Sequence, residues 1–205
     1  MRRLILASGS LFRLQLLRDA GFTVAAMSTG FAEPDPATLK PLETGLIHIA
    51  QGKALAALEQ GGTGLIFAAD TVGRVAGQVC GKPRDRAEAR RMLEAISGTT
   101  HEVLTGWCLL RSRDRLLLGG VERTVIQMRR WTDEELHVYL ESGDWIGKSG
   151  AYGLQQPVDP FVTGLEGSAA NVVGVPLERL QTLLREFPAL EEETRITGNE
   201  TPPPV

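Results

Sequence analysis

Five short stretches of this sequence carry side chains that could act on a phosphorylated ligand. Ser8-Gly9-Ser10, with Arg13 close behind, follows a brief apolar run and opens a helical pattern. Such a start leaves backbone N–H groups free, offers two hydroxyls, and places a guanidinium fork one turn in, the physics of a phosphate site. The same residues also serve any helix start, where serine caps and glycine turns the chain. Asp70 ends the apolar run Leu65-Ile66-Phe67-Ala68-Ala69. A carboxylate there must be hydrogen-bonded, paired or metal-bound to offset its desolvation; the plainer alternative is a strand-end aspartate capping the next turn. Glu33 lies in the proline-marked loop Glu33-Pro34-Asp35-Pro36, where acids commonly just stay solvated. Two acids from different loops are nevertheless what a hard cation such as Mg²⁺ takes when it also binds substrate phosphates. Lys53 shares a helical face with Leu46, Ala50, Ala54 and Leu58, so it either snorkels or reaches a pocket. Lys82 sits in the stiffened turn Gly81-Lys82-Pro83, fixed towards a pocket or simply exposed.

Other chemistries find less support. His48, His101 and His137 share no ligand spacing, so core or surface roles are expected of them. Cys80 and Cys108 form neither a CxxC motif nor a disulfide framework, which fits a reducing compartment. There is no Gly-x-Ser-x-Gly elbow, Walker loop or dinucleotide fingerprint. Metal-assisted phosphate chemistry therefore stands ahead of a covalent nucleophile.

The elements that must position these groups read as follows. Leu4 to Ala7 form a buried strand, and a helix with Leu11, Leu14, Leu17 and Ala20 on one face closes at Gly21. A second strand covers Phe22 to Met27, a long helix about Glu43 to Gln60, and a third strand ends at Asp70. Thr71 to Val79 turns through Ala76-Gly77-Gln78 as a hairpin. Asp85 with Glu88, and Thr132 with Glu135, are capping-box signals for two further helices. Between those helices lie two long strands, Glu102 to Leu110 and Leu116 to Met128. A glycine-rich stretch from Gly143 to Gly167 leads to a last helix opened by Pro176 and ending near Glu186. Early strand–helix alternation followed by long hairpins predicts a mixed sheet with helices packed around it, α/β or α+β.

Composition narrows the classes. The chain has 205 residues, 42% of them hydrophobic, enough for one domain with a filled core. Its 22 basic and 25 acidic residues leave a net charge of −3, which argues against a protein that wraps nucleic acid. The run Leu4 to Ala7 is too short for a signal peptide, and no segment approaches the length of a membrane span, so no membrane partner is expected. Only four of the 22 basic residues are lysines: Lys40, Lys53, Lys82 and Lys148. A position that stays lysine against such an arginine bias invites the question of what a compact ammonium does there.

Taken together, these segments resemble one family. Leu6-Ala7-Ser8-Gly9-Ser10 with Arg13, Glu33, Lys53-Ala54, Ala69-Asp70-Thr71-Val72, Gly81-Lys82-Pro83-Arg84-Asp85, Ser97 to Gly106, Lys148 to Gln155 and Asn171 to Leu177 look like the Maf family of nucleoside triphosphate pyrophosphatases, from about residue 3 to residue 186. The resemblance implies a mixed α/β fold related to the inosine triphosphate pyrophosphatases: an elongated mixed β-sheet flanked by helices around a central nucleotide-binding cleft. It implies one domain over residues 1–187, in two lobes; the three successive acids after Pro188 and the run Pro202-Pro203-Pro204 read as a disordered tail over 188–205. The same resemblance implies hydrolysis of a nucleoside triphosphate between the α and β phosphates, with a divalent cation, Mg²⁺ or Mn²⁺, in a cytoplasmic protein that could form a homodimer. Asp70 is then the expected general base, with Asp70 and Glu33 as the metal ligands. Ser8, Ser10, Arg13, Lys53 and Lys82 would hold the triphosphate, the two lysines also neutralising charge on the leaving pyrophosphate.

Departures from the family pattern bear on the substrate. Members resembling dTTP/UTP pyrophosphatases carry Arg where Phe12 stands, and Thr and Gln where Thr71 and Gln155 stand. Members resembling 7-methyl-GTP pyrophosphatases tend to an aromatic at the first and differ at the other two. Phe12 could stack on a base, with extra attraction for a cationic methylated ring, or pack into the core. A Tyr usual in the family is missing from Gly167-Ser168-Ala169-Ala170. The competing function is a nucleotide-binding regulator of cell division with little turnover, since the family is associated with septum inhibition.

Overall fold

The computed structural model describes residues 2–154 and 159–186. A seven-stranded mixed sheet forms its centre. β1 (Arg2–Leu6) lies parallel to both β2 (Phe22–Ala26) and β3 (Leu65–Val75), and the sheet continues antiparallel through β5 (Thr100–Arg111), β6 (Leu116–Met128) and β7 (Val162–Glu166). The short β4 (Gln78–Cys80) folds back on the far end of β3. The mixed α/β architecture is the one the resemblance implies.

Helices cover both faces. α2 (Leu42–Glu59) packs Ala50, Ala54 and Ala57 onto Ile66 and Ala68 of β3 and Cys108 and Leu110 of β5. Alanines on the helix and Gly106 on the sheet permit this close approach, because a Cβ at Gly106 would stand 2.5 Å from the Leu46 carbonyl. The opposite face carries Leu6, Phe67, Ala69, Trp107 and Leu109 against Leu17 of α1 (Leu11–Asp19) and Leu180 and Leu184 of α6 (Leu177–Glu186). A further core joins α3 (Arg86–Ile96) and α4 (Asp133–Ser142) through Trp131, Tyr139 and Tyr152. Both capping signals act: Asp85 accepts from the Glu88 N–H at 2.7 Å, and Thr132 and Glu135 cap reciprocally.

Two elements differ from the sequence reading. Asp70 does not end its strand. β3 runs on to Val75 because residues 65–74 all pair with β5, a long-range ladder that the end of the apolar run does not reveal. The glycine-rich stretch contains β7, and the short helix α5 (Ala169–Val173) follows it; both pack on the sheet, β7 on β6 and α5 on β5 and β6, and so depend on tertiary contact. The expected tail, residues 188–205, lies outside the described residues.

One feature of the sheet makes room for a ligand. β5 lines one edge of β3 over ten residues, whereas the other edge is shared: β1 pairs only at Ile66 and Phe67, and β4 only from Gly73 to Val75. Between them the backbone around Asp70 has no strand beside it. Unpaired carbonyls in such a gap need other donors, and they find them. The Ala69 carbonyl lies 3.4 Å from the Lys53 ammonium, and the Thr71 carbonyl accepts from the Ser149 hydroxyl at 2.7 Å.

Candidate active site

At this gap, α2 delivers Lys53 from among its buried alanines. Its Nζ lies 2.8 Å from Asp70 Oδ1 and 2.9 Å from Glu33 Oε2, so the lysine does not snorkel to solvent. Asp70 and Lys53 are both buried, at 8% and 7% exposure, while Glu33 remains half open. Buried charges are tolerable only when paired in this way. Two residues before Glu33, the Phe31 ring packs against Gly52, where an added Cβ would stand 2.4 Å from its Cε2 and Cζ. The residue preceding Lys53 is thus the seat of the loop that carries Glu33.

β1 ends beside the gap, and Ser8-Gly9-Ser10 leads straight into α1, where Ser10 accepts from the Arg13 N–H at 3.4 Å. Ser8 accepts from the Ser10 N–H at 3.2 Å, which curls the loop. Arg13 turns inward. Its Nε donates to the Gly174 carbonyl at 3.0 Å, one Nη to Ser8 at 3.2 Å and the other to Thr71 at 3.0 Å. The Thr71 hydroxyl lies 2.9 Å from that of Thr105, which donates to the Asn171 carbonyl at 3.0 Å. Burial lowers the Arg13 pKa, opposed by the nearby carboxylates of Asp70 and Glu33; the guanidinium stays charged. Arg13 therefore ties the small-residue loop to β3 and α5, and two of its five N–H groups remain for a phosphate.

Ser8, Ser10, Phe12, Arg13, Glu33, Lys53, Asp70, Thr71 and Lys82 all line one cavity of about 590 Å³. Gln155 lies outside the described residues. Lys82 is exposed and has no anionic partner among the described residues; its turn is anchored by the Gly150 N–H on the Gly81 carbonyl at 2.9 Å. Phe12 is not a core residue, being 57% exposed at the cavity wall, with the Lys148 ammonium 5.1 Å from its ring centre. Lys148 comes from the opposite wall, its stem lying along Gly153, and burial lowers its pKa against the pull of Asp144.

Sequence reasoning gave Lys148 no chemical role and set His101 aside. Both line the cavity. Their signal in the sequence was weak. Lys148 could be noticed only as one of four lysines, and His101 faces the cavity because β5 pairs with β3 and β6, which spacing alone does not reveal.

The donor set suits a hard cation. Asp70 Oδ1 and Glu33 Oε2 are held by the Lys53 ammonium, and each carboxylate keeps a second oxygen with no partner among the described residues. Among the described residues no group of three or more His, Cys, Asp or Glu side chains could hold a metal. A cation on Asp70 and Glu33 would thus complete its shell with phosphate oxygens and water, the usual habit of Mg²⁺. Among those residues no helix is long and apolar enough to cross a membrane.

Comparison with known proteins places these residues in context. The family described as Maf-like protein matches residues 3–187. A dTTP/UTP pyrophosphatase of Pelotomaculum thermopropionicum is 37% identical over 191 residues, covering 91% of this chain and 97% of its own. The dTTP/UTP pyrophosphatase of Rhodopirellula baltica is 40% identical over 185 residues, 90% of this chain and 82% of its own. That of Pyrococcus furiosus is 37% identical over 177 residues, 86% and 91% respectively.

Proposed function

The chain belongs to the Maf-like protein family, and on that premise we propose that it hydrolyses nucleoside triphosphates between the α and β phosphates, releasing a monophosphate and pyrophosphate. The observation that carries this reading is the meeting of Glu33, Lys53 and Asp70 in the gap of the sheet, beside the Ser8–Arg13 loop and within one cavity. The names of its relatives support dTTP and UTP as substrates. Thr71 agrees with that type and Phe12 departs from it.

Asp70 Oδ1 is engaged by Lys53, and Oδ2 has no hydrogen-bond partner among the described residues. That oxygen takes a proton from a water attacking the α phosphorus. As the water oxygen bonds to phosphorus, the bond from phosphorus to the bridging oxygen breaks and pyrophosphate leaves with the electron pair. Lys53 keeps the Asp70 carboxylate aimed. Lys82, with no counter-charge of its own, neutralises the leaving pyrophosphate, and the Ser8-Gly9-Ser10 loop with the spare N–H groups of Arg13 holds phosphate oxygens. A divalent cation held by Asp70 and Glu33, Mg²⁺ or Mn²⁺, would add charge neutralisation at the α and β phosphates.

A nucleotide-binding regulator of cell division is not favoured, because a pure binder gains nothing from two carboxylates beside a polyanion. Chromatography of the products separates the outcomes: UMP and pyrophosphate in equal amounts from UTP, abolished by a chelator, support the reading. UDP and phosphate, or binding without turnover, oppose it.

A further inference from the structure

The cavity has a second end, on the sheet face opposite Asp70. Side chains alternate along a strand, so Thr71, Gly73 and Val75 of β3, His101 and Val103 of β5 and Ile126 of β6 share one face, and all six line the cavity. Gly73 leaves this floor open. His101 is 5% exposed, and Ile96 lines the same cavity. The imidazole is a polar ring set in an apolar floor.

Its hydrogen-bonding polarity follows from its neighbour. The Thr99 hydroxyl donates to the Ile96 carbonyl at 2.8 Å, so its proton is committed. Towards His101 Nδ1, 3.5 Å away, that hydroxyl can only accept, which puts the ring proton on Nδ1. Nε2 then carries a lone pair, and it has no hydrogen-bond partner among the described residues. Burial lowers the His101 pKa and so keeps the ring neutral.

An unpartnered acceptor in an apolar floor selects a ligand that brings an N–H and repels one that brings a lone pair. Uracil and thymine carry an N–H at N3, whereas cytosine carries a lone pair there. Resting on the nucleotide reading above, we propose that His101 Nε2 reads the base, accepting from the N3–H of uracil or thymine and rejecting cytosine.

Binding of the non-hydrolysable α,β-methylene analogues of UTP, CTP and N3-methyl-UTP, measured by titration calorimetry, tests this. The wild type should bind the UTP analogue about tenfold tighter than either of the others. The N3-methyl arm needs no variant, so a misfolded mutant cannot obscure it. His101→Leu should bring the three to about equal affinity, while His101→Gln, which retains an acceptor, should keep part of the preference. Equal binding of all three by the wild type, no binding of any of them, or full preference in His101→Leu overturns the proposal. Because nothing is hydrolysed, the result is independent of turnover: a retained preference without pyrophosphate release from UTP would overturn the enzymatic reading alone.

Discussion

Lys53 and Asp70, on a helix and a strand 17 positions apart, meet at 2.8 Å over the unpaired edge of β3. The lysine satisfies two demands together: it neutralises a buried carboxylate and approaches the Ala69 carbonyl that β1 leaves uncovered. Its removal should therefore cost both fold and function. Lys53→Met should lower unfolding stability by about 3–5 kcal/mol, since one partner of a buried pair is left uncompensated. It should also cut turnover by about 100-fold or more. Urea unfolding and pyrophosphate release check the two effects separately.

The seat of Phe31 on Gly52 gives a second prediction. Gly52→Ala pushes the ring aside and carries Glu33 away from Lys53, at a cost of about 1–3 kcal/mol from overpacking. Activity should fall by about tenfold or more, as misplacement of a catalytic group does. Adding Phe31→Ala removes the clash, so the double variant should be more stable than additivity predicts. Additive losses in thermal unfolding would contradict the contact.

Much of this site was legible from residue types. The small-residue loop, an acid at the end of an apolar run and lysines kept against an arginine bias all pointed to residues that line one cavity. The gap that makes them a site was not legible. It arises because β1 and β4 share one edge of β3 without meeting, a matter of register between strands distant in sequence. Burial likewise separates Lys53, sealed among alanines, from Lys82, exposed on its turn, though both looked ambiguous as single residues.

Arg13 acts as a fork with three distinct acceptors, which lysine cannot reproduce. Arg13→Lys should raise KM more than it lowers kcat and cost about 1–3 kcal/mol from stranded acceptors. Steady-state kinetics together with thermal unfolding would detect both.

Phe12 stands at the cavity wall under Lys148. Phe12→Arg should shift the specificity ratio towards dTTP and UTP relative to 7-methyl-GTP, whose cationic ring loses its aromatic partner. An unchanged profile across these triphosphates would mean that Phe12 does not select substrate.

A pH prediction concerns stability away from the site. The Arg129 side chain and the Thr132 N–H hold the Glu135 carboxyl at about 2, below its ordinary 4.5. A carboxyl depressed by folding stabilises above its unfolded pKa and loses that contribution as pH falls through the folded value. The stability advantage of the wild type over Glu135→Gln should be full at pH 7 and shrink as pH falls from about 4.5 towards 2. A gap independent of pH would rule out this linkage.

We propose that Asp70 takes the proton from the attacking water in pyrophosphate release. Asp70→Asn keeps the size of the side chain and removes its charge, so a pyrophosphate-release assay with UTP and Mg²⁺ on this variant isolates that role. The expected result is a folded variant that still binds UTP and turns over at about one hundredth of the wild-type rate or less. Turnover equal to the wild type would exclude Asp70 from that role.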